Sequence, residues 1–333
     1  MTNTQASLIA RYERIRRPSP ISHDPCRVFI LSRVTLGADV AVTSVLLAAA
    51  KQRFPQAEIL FAGPQKNYEL FAGDPRIHHA LVAYKRGGLR DRLAVWDDLK
   101  SLLAEPDNLV IDPDSRLTQL GLLPVCPEDR YYFFESRAYG RDSEAPLSQL
   151  AAEWAAETLG VVGLKPYVQL PGPWPRPLRG TPPGPFTAVS LGVGENPAKR
   201  LPDPFEEDLL ALLSRTDTPL YIDRGAGGEE AERVTRATER SGVNATFWDG
   251  SFAGFAAIIA GARLYVGYDS AGQHVAAACG VPLISIFAGF PVPRMFHRWR
   301  PTGARCHVIR VDRPDAREVL VRVGEALADA GHQ

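Results

Sequence analysis

A chain of 333 residues, 45% hydrophobic and 23% charged, has the make-up of a globular protein long enough for two domains. Its 38 basic residues cancel its 38 acidic ones, which excludes a general electrostatic attraction to nucleic acid. Cys26, Cys126, Cys279 and Cys306 lie far apart without a CxxC pair, which excludes a zinc knuckle and a disulfide-dense secreted scaffold.

Residues 1–24 form an arm carrying Arg11, Arg14, Arg16 and Arg17. No apolar core of signal-peptide type follows, and no stretch reaches the roughly 20 apolar residues that span a bilayer. The expectation is a cytoplasmic protein whose arm is solvated and partly helical. A peripheral contact with the inner face of a membrane through Arg11 to Arg17 is the other reading.

From there the chain alternates. Arg27 to Ser32 reads as a buried strand, Val40 to Phe54 as a helix and Glu58 to Ala62 as a second strand, a parallel crossover unit. Ala80 to Ala83 reads as a short strand, Leu89 to Leu103 as a helix, Asn108 to Ile111 as a strand and Leu147 to Leu159 as a helix. The aromatic run from Tyr131 to Phe134 has no assignment. Residues 166–185 hold eight of the 28 prolines and no sustained period, so they read as a linker between domains 25–165 and 186–333. Beyond the linker the alternation restarts, with strands at Thr187–Gly192, Leu220–Asp223, Leu264–Val266 and Leu283–Phe287. Buried strands alternating with helices imply two doubly wound α/β halves, and ligands of such sheets bind beyond the carboxyl ends of the strands.

Three of those ends are polar. Gly192 to Arg200 (GVGENPAKR) sets flexible backbone, Gly194 included, before Lys199 and Arg200, a pair suited to a diphosphate or simply two exposed bases. Asp223 to Glu230 (DRGAGGEE) has the GxG spacing at Gly225 and Gly227 but Glu230 in the third glycine's place, which argues against a dinucleotide fingerprint. Glu229 and Glu230 are candidates for ribose hydroxyls, or plain helix-start carboxylates. Asp269 to His274 (DSAGQH) joins an apolar strand to a small-residue helix whose first N–H groups and dipole can hold a phosphate, with His274 as a further donor. In the first half, Asp39 follows Gly37 between strand and helix, as an N-cap or as a general base. Asp112-Pro113-Asp114 spells DxD, but reads as a turn, and no metal site is expected.

Together these stretches resemble the ADP-heptose:lipopolysaccharide heptosyltransferase-like family, glycosyltransferase family 9. DSAGQHVAAACGVPLISIFAG is similar to the family's Asp-Ser/Thr-Gly-x-x-His segment over more than twenty residues, and GVGENPAKRLPDPFEEDLLALL and DRGAGGEEAERV resemble its lysine and acidic loops. RVFILSRVTLGADVAVTSVLLAAAKQRFPQAEILFAG looks like its opening strand and Gly-Asp loop; residues 74–185 carry no matching motif. Two departures stand out: Ala38 splits the Gly-Asp pair, and Gly272 comes one place late, after Ala271.

The resemblance implies a GT-B fold, two Rossmann-like domains facing across a cleft, with acceptor binding in 25–165 and the donor in 186–333. It implies an inverting, metal-independent transfer of a sugar, a heptose in the family, from a nucleotide-diphosphate sugar, ADP-linked in the family, to a hydroxyl of a glycan or lipopolysaccharide-like acceptor. No cofactor beyond the donor is expected. Asp39 would be the base and Lys199 would stabilise the leaving diphosphate, with Gly194, Arg200, Glu229, Glu230, Asp269, Ser270, Ala271, Gly272 and His274 around the donor. The alternative is a non-catalytic nucleotide-sugar binding protein of the same fold.

Overall fold

Apolar runs of four or five residues, bounded by turn residues, become strands buried on both faces, the mark of a parallel sheet covered by helices. A computed structural model of the chain describes residues 4–84, 87–172, 184–194, 196–225 and 227–331. They divide into two compact units, Met1–Pro171 and Gly172–Gln333. Most of the expected linker, residues 173–183, lies outside the described residues. Its start belongs to the first unit: the Tyr167 N–H donates to Ser44 Oγ at 3.1 Å, and Gln169 exchanges backbone bonds with Leu70 and Gly73.

The first unit runs α1 (Gln5–Ile15), β1 (Arg27–Leu31), α2 (Leu36–Ala38), α3 (Ser44–Arg53), β2 (Glu58–Gly63), α4 (Gln65–Tyr68), β3 (Ile77–Leu81), α5 (Leu89–Leu102), β4 (Asn108–Asp112), β5 (Tyr131–Phe133) and α6 (Leu147–Leu159). Its sheet has the order β3-β2-β1-β4-β5, with every pairing parallel. Val28, Phe29, Ile30 and Leu31 of β1 are buried at its centre. Phe29 and Leu31 pack with Val95 and Leu99 of α5, Val110 of β4 and Phe133 of β5. Between α2 and α3, residues Asp39–Thr43 form a single π-helical turn.

The arm is helical over α1 and mostly exposed, as expected, and a few of its residues dock it on the unit. Ile15 joins the core, Arg11 is buried over the Tyr131 ring and donates to Gly121 O at 2.8 Å, and Arg14 pairs with Glu128 at 2.7 Å. Arg16 pairs with Glu13 at 2.8 Å. Three of the four arginines that suggested a membrane contact are thus engaged within the protein. Among the described residues no helix is long and apolar enough to cross a membrane.

The second unit runs β6 (Thr187–Ser190), α7 (Phe205–Ser214), β7 (Leu220–Asp223), α8 (Gly228–Ser241), β8 (Ala245–Trp248), α9 (Phe252–Gly261), β9 (Leu264–Tyr268), α10 (Ala271–Ala278), β10 (Leu283–Phe287), α11 (Pro293–Trp299), β11 (Cys306–Arg310) and α12 (Ala316–Gly331). The parallel order β11-β10-β9-β6-β7-β8 is that of a doubly wound nucleotide-binding sheet. The chain winds outward from β6 in one direction and from β9 in the other. Their carboxyl ends therefore diverge, and the crevice between them is where such folds place a ligand.

Each unit has the doubly wound α/β sheet expected. The third strand, expected at Ala80–Ala83, lies instead at Ile77–Leu81. Strands β5, β8 and β11, unassigned from sequence, all border or close to border solvent. Each residue of β8 is half-buried, so no apolar run announces it.

Candidate functional site

The crevice of the second unit is built from three backbone features. After β6 the chain turns through Leu191 to a 3-10 turn at Pro197–Lys199, capped by Asn196 Oδ1, which accepts from the Ala198 N–H at 3.1 Å. That turn lies against Gly289, whose φ of +67° and contact with Ala198 O, 2.3 Å from where a Cβ would stand, allow no side chain. The turn delivers Lys199 to the head of α10. Its Nζ lies 2.7 Å from Asp269 Oδ2 and 2.9 Å from Asp269 O, at the end of β9.

Asp269 is held in turn. Gln273 donates to Asp269 Oδ1, and Ser285 of β10 donates to Gln273 Oε1, all three residues being buried. Ser270, the N-cap of α10, is extended, and its side chain makes no cap hydrogen bond. The first N–H groups of the helix are thus not capped by Ser270, and they lie beside a lysine at the positive end of the dipole, an arrangement able to hold an anion.

Gly272 has a different reason from the one expected. It is buried, and a Cβ there would stand 2.2 Å from the Tyr265 hydroxyl beneath it. The late glycine seats the helix on β9, while Ser270 and Ala271 are the half-buried residues of the turn. His274 also turns inward. It is 7% exposed, edge-on to Trp299 with ring centroids 6.3 Å apart, and its Nε2 is 3.4 Å from Gln273 Nε2. Burial first, and then the Lys199 charge, push its pKa down to about 4, so at neutral pH it is an uncharged ring.

Other expected residues are distributed more widely. Arg200 points away from the head of α10: its Nε donates to Glu206 Oε1 at 3.1 Å, and its Nη2 pairs with Asp203. Gly194 is an exposed turn residue with φ +61°. Glu230 folds back over the ends of β6 and β7, its carboxylate against Gly192 and Gly225. Burial, aided by Glu230 and Asp249, raises the neighbouring Asp223 to about 6. Glu229 is exposed in the first turn of α8.

In the first unit Asp39 is fully buried. Its Oδ1 accepts from the Arg33 N–H at 2.7 Å and Thr43 Oγ1 at 2.6 Å, and its Oδ2 from Ser32 Oγ at 2.7 Å and Asn67 Nδ2 at 2.6 Å. In this conformation it organises the β1 loop and does not face solvent. Burial raises its pKa against the effect of those four bonds. The DxD carboxylates are also occupied, as a turn requires. Asp112 accepts from the Ser115 N–H, Thr118 and Tyr131, and Asp114 Oδ2 accepts from Ser136 at 2.8 Å and Arg137 at 3.1 Å. Among the described residues there is no group of three or more His, Cys, Asp or Glu placed to hold a metal ion.

Gln273, Ser285, Gly289 and Trp299 were not singled out from sequence. The first three sit inside a motif quoted above, and their roles depend on segments adjacent only in the fold. No curated protein matches the chain in sequence. Among solved structures, E. coli heptosyltransferase WaaC with ADP is similar at 19% identity and a TM-score of 0.66, over 91% of this chain and 99% of that one. E. coli ADP-heptose lps heptosyltransferase II gives 19% and 0.65 over the same shares. The iron-containing dodecameric glycosyltransferase TibC from enterotoxigenic E. coli gives 13% and 0.54, over 93% of this chain and 76% of that one.

Two outcomes test this geometry. Gly272→Ala should lower stability by about 1–3 kcal/mol in urea denaturation, through overpacking against Tyr265, and adding Tyr265→Phe should restore part of it. His274 is held neutral, with its pKa below the unfolded value of about 6.5, so its contribution is present above pH 6.5 and lost as pH falls toward 4. The stability difference between wild type and His274→Gln should shrink or reverse over that window; a constant difference would contradict the buried neutral ring.

Residues 191–321 match the family described as glycosyltransferase family 9 (heptosyltransferase), and the chain shares the fold of the heptosyltransferase structures it resembles.

Proposed function

We propose that the protein moves a sugar from a nucleotide-diphosphate sugar to a hydroxyl of a glycan or lipopolysaccharide-like acceptor, with inversion and without a metal. The observation that carries this is Lys199, fixed at the uncapped head of α10 in the crevice between β6 and β9. Departure of the nucleoside diphosphate builds negative charge on its phosphate oxygens. An ammonium and oriented N–H groups already in place stabilise that charge without reorganising. Glu230, at the end of β7, is assigned to the ribose hydroxyls. Neighbours with ADP and with ADP-2-deoxy-2-fluoro heptose bound support an ADP-linked donor, a heptose among the sugars to test first. A cytoplasmic place of action, at the inner face of a membrane where a glycolipid acceptor would lie, belongs to the same reading.

Asp39 is assigned as the base that takes the acceptor proton. A raised pKa suits a proton acceptor, and the role requires the Ser32–Ala38 loop to open, because all four donors now occupy the carboxylate. That occupancy also favours a second reading, a non-catalytic nucleotide-sugar binding protein of the same fold.

Thermal unfolding with ADP, UDP, GDP and CMP in parallel tests the donor site. At about 100 times its Kd the specific nucleotide should add roughly 2.7 kcal/mol, and Lys199→Ala should lose most of that gain. No shift with any of the four would remove the donor-site assignment. With the matching nucleotide sugar, transfer that falls about 100-fold or more in Asp39→Asn at unchanged nucleotide affinity supports the base. A wild type that binds donor but never releases the nucleotide supports the second reading.

A further inference from the structure

Loop Leu191–Arg200 delivers Lys199, whose ammonium bonds Asp269 across the crevice. Besides the packing of its 3-10 turn on Gly289 and the Arg200–Asp203 pair, one buried carboxylate holds both ends of the loop. Glu206, in the first turn of α7, is 2% exposed, and its Oε1 is shared by two guanidinium groups. Arg200 donates to it through Nε at 3.1 Å, and Arg233 of α8 through Nη1. Arg233 also donates through Nη2 to Leu191 O at 2.8 Å. The two residues that begin and end the lysine loop are therefore tied to one oxygen: Leu191 through Arg233, and Arg200 directly. Leu201, next along, is buried and donates its N–H to the Tyr268 hydroxyl at 3.3 Å. Arg233 lies one turn beyond Glu229 and Glu230 on the same helix, so the carboxylate also couples the lysine loop to the acidic end of α8.

We infer that Glu206 is a positioning residue: through Arg200 and Arg233 it sets the span of the Leu191–Arg200 loop and thereby the place of Lys199 at the head of α10. A carboxylate this buried, between two cations, serves geometry that an uncharged amide does not reproduce, because Gln offers one acceptor oxygen without charge and leaves two guanidinium groups repelling each other. Glu206 makes no contact with the crevice itself. Its effect on a ligand passes through the loop. This inference rests on the nucleotide-sugar reading only for the ligand it names.

The test is therefore read in two ways. Acylation of lysine side chains in the ligand-free full-length protein, followed residue by residue by mass spectrometry, reports the Lys199–Asp269 pair without any nucleotide. Lys51, paired with Asp74 in the first unit, serves as internal reference. Glu206→Gln should raise the Lys199 rate about fivefold or more relative to Lys51, as a pre-organised contact is loosened. Calorimetric titration with ADP, well below the unfolding midpoint of the variant, should show affinity weakened about tenfold, equal to roughly 1.4 kcal/mol. Glu206→Asp should recover part of both readouts, since it retains the charge. A variant with a lower midpoint but unchanged Lys199 reactivity and unchanged ADP affinity would overturn the inference, leaving Glu206 a stabilising residue only. If wild type fails to bind ADP, the donor reading falls, while the reactivity of Lys199 still decides the role of Glu206.

Discussion

The ion pair between Lys199 and Asp269 ties together the two strands from which the second sheet winds in opposite directions. At the carboxyl ends of β6 and β9 the loops part, and this pair joins them across the crevice. A buried pair recovers its desolvation cost only when its remaining hydrogen-bonding capacity is met. Here the backbone carbonyl of Asp269 takes a second bond from the ammonium, and Gln273 takes the other carboxylate oxygen. The lysine is therefore screened but not consumed. In the proposed function a diphosphate would meet this ammonium and the helix N–H groups at the same place.

Both units use one device, a buried carboxylate that gathers the donors of the loop leaving the first strand. Asp39 does so after β1, with donors from Ser32, Arg33, Thr43 and Asn67. Glu206 and Asp269 share the task after β6. Oxygen atoms accepting from several directions fix a loop more firmly than apolar contact alone, because each lost bond strands a buried donor.

Much of this was legible in the chain. Apolar runs such as Arg27–Leu31 and Leu283–Phe287, bounded by polar or glycine-containing turns, declare a parallel sheet, and the placing of Lys199, Asp269 and the α10 turn at strand ends follows from it. What could not be read is what depends on which strands become neighbours. Ser285 reaches Gln273 only because β10 lies beside β9, and Gly272 is required by Tyr265 across a helix–strand contact. Arg200 looked like a phosphate ligand because sequence shows the adjacent Lys199 and not its pairing with the carboxylate of Glu206, six residues along. The docking of the arm was hidden for the same reason: the partners of Arg11 and Arg14, at Gly121 and Glu128, lie more than 100 positions along the chain.

The π-helical turn at Asp39–Thr43 carries a consequence for how this loop can change length. A helix that continued in α register from Leu36 would pass the added residue on to every position behind it, rotating α3 by about 100° and turning Val45 and Leu46 out of the core. The wider turn absorbs the residue where it enters. The β1 loop can thereby lengthen by one residue while the hydrophobic register of α3 stays constant.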